Sequence, residues 1–171
     1  MWINPVFVIK YFQMEKVLSY LGDHNIGYTL HEHIAVFTCE EAKAHAGDIP
    51  GMACKNLLLR NRKKTRFILL VLPANKKTDI KAFSLSIGEK NLSFTSSDLL
   101  MEKLGLEPGS VSPFGLINDV DNTVDLYIHR EVYDASIVTF HPNINTATLE
   151  LTREMFHRYL GGLVQEVEVM A

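Results

Sequence analysis

The chain has 171 residues, with 17 Lys and Arg against 20 Asp and Glu, a net charge of -3 and 47% hydrophobic residues. That length favours one domain, long enough to bury a core without covalent staples. Two cysteines, Cys39 and Cys54, supply neither a disulfide framework nor a CxxC metal site, so a reducing, cytoplasmic setting is expected.

The opening "MWINPVFVIKYF" is apolar but short of the roughly 20 residues a spanning helix needs. It also lacks the positive charge that precedes a secretory core, so no membrane association is expected. Residues 1–13 are predicted to be an N-terminal extension, a tail or an added strand, with the domain running over 14–171. "MEKVLSYLGDHN" places Val17, Leu18 and Leu21 at helical spacing and ends near Gly22–Gly27. "YTLHEH" reads as a strand. "TCEEAKAHAG" opens with Thr38 and Glu41, a capping box, and Gly47 can close that helix.

"MACKNLLLRN" and "RFILLVLP" then form the clearest hairpin, joined by a polar basic turn. "DIKAFSLSIG" reads as a short helix and "LSF" as a strand. "SSDLLMEKLG" is a helix capped by Ser96 or Ser97 and stopped by Gly105. "EPGSVSPFG" is turn-rich. "TVDLYIH", "SIVTFHP" and "TATLELT" read as strands, and "TREMFHRYLG" as a helix capped by Thr152 and stopped by Gly161. Strands outnumber those of a strict βαβ repeat and hairpins are mixed in. The fold class is therefore α+β, a single domain with a mixed, strongly bent β-sheet flanked by helices.

GxSxG, HExxH, the Walker loop and GxGxxG are absent. His31 and His33 share one face of a strand, but two histidines without a third ligand are read as surface groups. Asp119, Asp121 and Asp125 lack the glycine and glutamate of an EF-hand and are read as a turn. No metal and no cofactor are expected. Cys54 beside Lys55 is read as an inert thiol. Residues 55–90 hold Lys55, Arg60, Arg62, Lys63, Lys64, Arg66, Lys76, Lys77, Lys81 and Lys90 against two acids, a window of +8 opposed to -11 elsewhere. Gathered on one side, that window would attract an anionic partner; alternatively "RNRKKTR" is a solvated hairpin tip.

Two places carry more. Lys55 and Asn56 stand at the entrance to the apolar run Leu57–Leu59, their side chains on opposite faces. Taken alone, Lys55 reads as an ordinary edge lysine. His141 sits where a strand breaks into a loop, ahead of Pro142 and among Asn143, Asn145, Thr146 and Thr148.

"KNLLL", "LSFTSSDLLMEKLGLEPGSVSPFGLIND" and "FHPNINTATLEL", in this order, resemble the free-standing prolyl-tRNA editing proteins of the YbaK/ProRS-associated domain family. The likeness runs from about Met14 to about Leu160. It implies an aminoacyl-tRNA deacylase acting on the acceptor end of tRNA(Pro), with prolyl-tRNA synthetase as a partner. The wording of the motifs is closer to the alanyl-tRNA(Pro) deacylases than to the cysteinyl-tRNA(Pro) branch. The resemblance assigns catalytic roles to Lys55 and His141. It assigns substrate binding to Asn56, Lys90, Pro113, Phe114, Gly115 and Phe140, with Gly109 in the same glycine-proline loop. Relatives carry an arginine-containing basic pair before "LSF", where this chain has Lys90 and Asn91; a lysine meets a phosphate as a point charge only. Phe114 and Phe140 are expected to wall a small apolar pocket, and backbone amides near Gly115 to face the ester carbonyl. The rival functions are a cysteinyl-tRNA(Pro) deacylase, a tRNA-binding module without turnover, and a small-molecule acyl hydrolase.

Overall fold

The computed structural model describes residues 5–36 and 49–171. Helix α1 spans Pro5–Asp23. The N-terminal stretch is thus helical from Pro5 and runs through residue 13 without a break, which corrects the expected tail or added strand. Proline is tolerated in the first helical turn, and extending an existing helix by further residues is far easier than nucleating one. Val17 and Leu21 are buried in the core. The capping box at Thr38 and Glu41, with Cys39 and Gly47, lies outside the described residues.

The strands are β1 (Thr29–Glu32), β2 (Met52–Asn61), β3 (Phe67–Pro73), β4 (Leu92–Phe94), β5 (Val124–His129), β6 (Ile137–Phe140), β7 (Ala147–Thr152) and β8 (Val167–Met170). The helices after α1 are α2 (Ile80–Ser86), α3 (Ser97–Leu104), α4 (Arg130–Tyr133) and α5 (Arg153–Gly161), with a 3-10 turn at Pro113–Asn118. Strand order among the described residues is β1-β7-β6-β2-β3-β5-β8, with β4 attached to β2, eight strands in a sheet that is mixed as expected. The 3-10 turn, α4 and β8 escape the sequence reading because each is too short for a periodic signal.

β3 is buried along its whole length, which is why its sequence is an unbroken apolar run. Alternate residues of β2 and β3 feed two cores. Leu58, Leu69 and Val71 join the larger one beside α3, the 3-10 turn and α5. Leu59, Ile68, Leu70 and Leu72 join a smaller one under Phe83 of α2. The expected caps are formed: Ser96 accepts from the Leu99 amide, Thr152 from that of Met155, and Gly105 takes φ 65°.

One edge of β2 is divided. Met52 and Ala53 pair with Val138 and Thr139 of β6, while Leu59–Asn61 pair with Phe94–Leu92 of β4. Among the described residues no strand pairs with that edge in between, and the Leu58 carbonyl accepts from the Thr95 amide after β4, so the sheet opens at Cys54–Leu57. The entry to β2 is tight. Gly51 has φ +103°, and a Cβ there would lie 2.5 Å from Ile137 Cγ2. Gly51→Ala is expected to destabilise the fold by at least about 2 kcal/mol, a fall in Tm of roughly 4–8 °C. Calorimetry of the two proteins checks this.

Candidate active site

The site is built around the opening in the sheet. β2 begins at Met52, so Lys55 and Asn56 lie inside the strand and not at its entrance, a correction to the sequence reading. The hairpin partner β3 extends far enough to pair Cys54 with Pro73 and Lys55 with Leu72, which carries the ladder past the polar residues. The parallel register between β2 and β6 matches Met52 to Val138 and Ala53 to Thr139. Continued two steps, it sets Lys55 level with His141, just where β6 has ended. Both also fall on the face shared by Ala53 and Thr139, because side chains alternate along a strand. The two residues assigned catalytic roles therefore share a face, each two residues beyond the last pair of β2 with β6.

Lys55 is half-buried, and its Nζ donates to the Lys76 carbonyl. No carboxylate pairs with it among the described residues, leaving its charge available to an anion. His141 Nδ1 lies 2.8 Å from the Ala147 carbonyl. A carbonyl only accepts, so Nδ1 carries the proton and Nε2 keeps its lone pair. Burial lowers the His141 pKa, against an opposing contribution from the Ala147 carbonyl, and the nearby His33 lowers it further. The His33 and His141 rings are 5.8 Å apart, and His33 Nε2 lies 2.9 Å from Thr148 Oγ1. His33 is thus a member of this face that the sequence reading set aside; its i, i+2 spacing with His31 was the available signal. His31 instead meets Glu150 at 2.9 Å, and among the described residues no metal-binding cluster is formed.

Asn56 points to the opposite face, as alternation requires, and its Nδ2 donates to the Val111 carbonyl at 3.0 Å. Asn143, at φ 62°, donates to the Phe114 carbonyl at 3.4 Å. Both side chains therefore brace the 111–115 loop against the end of the sheet. The Oδ1 atoms of Asn56, Asn143 and Asn145 are buried without a hydrogen-bond donor.

Other assigned residues belong to the support of the site. Phe114 and Phe140 are buried, with ring centroids 6.1 Å apart in an edge-on contact, and Phe114 also packs on Tyr159. Both rings are packed in the core and present almost no surface to solvent. Pro113 is buried and its carbonyl accepts from Tyr159 Oη at 2.8 Å. The Gly115 amide donates to the Ser112 carbonyl at 3.0 Å, so of the amides in this loop that one is already engaged. Gly115 is needed for packing: a Cβ there would meet Leu106 at 2.8 Å. Lys90 lies in a separate groove. Its neighbour Leu92 faces Asn61, six residues and about 20 Å along β2 from Lys55.

The basic window is also divided. Arg66 pairs with Asp125 at 2.7 Å and Lys76 with Glu131 at 2.8 Å, while Arg62, Lys63 and Lys64 are exposed at the hairpin tip. Asp119 caps the amides of Thr123 and Val124, so the acidic cluster is a turn as read. Burial pushes the Cys54 thiol up to about 12, leaving it protonated and without nucleophilic character. No helix among the described residues is long and apolar enough to cross a membrane.

Comparisons with known proteins agree with this fold. A family profile, the aminoacyl-tRNA editing domain, matches residues 33–159. The chain is 37% identical over 140 residues to the prolyl-tRNA editing protein ProX of Acetoanaerobium sticklandii, covering 82% of this chain and 85% of that protein. It is 31% identical over 160 residues to the prolyl-tRNA synthetase associated domain-containing protein 1 of Danio rerio, covering 92% and 84%. Among solved structures, a candidate trans-editing enzyme for prolyl tRNA synthetase superposes with a TM-score of 0.69 at 18% identity, over 98% of both chains. The hypothetical protein APE2540 gives 0.69 at 19% identity over 90% of this chain and 97% of its own. The chain belongs to the aminoacyl-tRNA editing domain family and is a hydrolase, an aminoacyl-tRNA deacylase.

Proposed function

We propose that this deacylase acts in trans, in the cytoplasm, on tRNA(Pro) mischarged with alanine. The observation that carries the reading is the placement of Lys55 and His141 on one face of the sheet, each just beyond the last pair of β2 with β6. Likeness to proteins named for prolyl-tRNA editing supports the tRNA. The motif wording around Lys55, Pro113 and His141 supports alanine.

The chemistry fits a site without a nucleophile. An aminoacyl ester is already activated, and the only described thiol, Cys54, is held protonated. Catalysis then rests on placing water and substrate and on stabilising developing charge. Lys55 grips a phosphate or sugar oxygen of the terminal adenosine and aligns the ester. His141 Nε2 accepts a proton or hydrogen bond from water or from the free ribose hydroxyl beside the ester.

A synthetase pocket shaped for proline cannot strongly exclude alanine, since each lost methylene is worth only about 1–3 kcal/mol. A second site that admits alanine and rejects proline restores fidelity. With alanyl-, cysteinyl- and prolyl-tRNA(Pro) offered side by side, the alanyl ester is expected to be cleaved at least about 10-fold faster than the prolyl ester. Preference for the cysteinyl ester would assign the sibling activity. Protection of all three esters would make the protein a binding module.

A further inference from the structure

A groove of about 420 Å³ lies between α2 and β4, lined by Ile80, Lys81, Lys90, Asn91, Leu92, Ser93 and Phe94. Its volume is in the range of ligand sites, and no acid lines it. Neither lysine is held in an ion pair among the described residues. Phe94 is 58% exposed, an unusual position for a phenylalanine on a strand. A cation pair beside a bare aromatic ring is the equipment of a single-stranded nucleic-acid platform: bases stack on the ring while the lysines meet phosphates.

The groove is aligned with the catalytic face. Phe94 pairs with Leu59, and Leu59 and Lys55 are four residues apart on β2 with side chains on the same side. Four residues span about 13 Å, the length of about four stacked nucleotides. The unpaired 3′ end of a tRNA has this length. The open stretch of β2 at Cys54–Leu57 joins the two, and the exposed Arg62, Lys63 and Lys64 continue the positive track beyond Asn61.

We propose that this groove seats the single-stranded 3′ end of the tRNA, with Phe94 as stacking platform and Lys81 and Lys90 as phosphate contacts. The resemblance pointed to Lys90 alone; Phe94, Lys81 and the path along β2 come from the fold. The inference rests on the editing function proposed above. It is tested by binding, which does not require turnover.

Two RNA hairpins are compared, one with an unpaired ACCA 3′ end and one blunt. The intact protein is expected to bind the tailed hairpin about 10-fold more tightly. Phe94→Ala should erase that preference and Phe94→Tyr should keep it. Because the ring is exposed, neither change opens a cavity, and circular dichroism confirms that both variants are folded. Replacing Lys81 and Lys90 by alanine should lessen the slope of log affinity against log salt by about 1.4. Equal binding of the two hairpins, or an unchanged preference in Phe94→Ala, overturns the proposal. Absence of deacylation with the tail preference intact would instead overturn the proposed function and leave the groove assignment standing.

Discussion

Lys55→Ala is expected to lower kcat/KM for alanyl-tRNA(Pro) by about 10- to 150-fold, the worth of one hydrogen bond to a charged group. Lys55 is positioned for this effect. It projects from the interior of β2 beside the gap, half-buried, anchored to the Lys76 carbonyl and free of any carboxylate among the described residues. Its backbone is held by β3 through the Leu72 pair, so the charge sits on a rigid mount. The loss should be read in single-turnover deacylation as well as at steady state, since both alignment and phosphate grip are removed. Tm should move little, because the side chain makes one backbone contact and fills no core. Lys55→Arg should recover only part of the rate, as a guanidinium is wider and differently directed. A variant that retains the full rate with alanyl-tRNA(Pro) would remove Lys55 from the mechanism.

The second large effect is expected at His141. His141→Ala should reduce kcat by about 100-fold, a usual contribution from a positioned proton acceptor. The pH dependence follows from the lowered pKa. The useful form is the neutral ring, with Nδ1–H on Ala147 and Nε2 open. Burial favours that form, so the neutral ring predominates at the ordinary value of 6.5 and gives way only at more acidic pH. After subtraction of spontaneous ester hydrolysis, kcat should be level from pH 7 to 8 and decline below 6.5, and the decline should vanish in His141→Ala. The same shift acts on stability. A histidine whose pKa is depressed in the folded state contributes stability that is present above its unfolded value and lost as pH falls through the folded value. Denaturation midpoints at pH 7 and pH 5 should therefore converge between the parent and His141→Ala. An unchanged kcat in the variant would reduce His141 to a structural role.

The hairpin of β2 and β3, the caps of α3 and α5, and the glycine stop at Gly105 could be read from residues alone. Each is a local event, decided by an alternating or unbroken apolar run or by one side chain meeting a nearby amide. The family was also legible, because three separated motifs occur in order. The packing of Phe114, Phe140 and Gly115 was not. A motif shows that a residue belongs near the site, yet burial decides whether it touches substrate or holds the loop that does. Their contacts with Tyr159, Leu106 and Ser112 are all long-range or turn-specific, and no spacing announces them.

The sequence by itself determined which segments become strands and helices and which residues could carry chemistry, since propensity, pattern and capping are properties of neighbours along the chain. Only the tertiary structure decided that β2 would share one edge between β6 and β4 and leave it open between them. That register depends on hydrogen bonds between segments more than 80 residues apart in sequence, here Met52 with Val138. It puts Lys55 on the same face of the sheet as His141, and it lays the groove at Phe94 along that face.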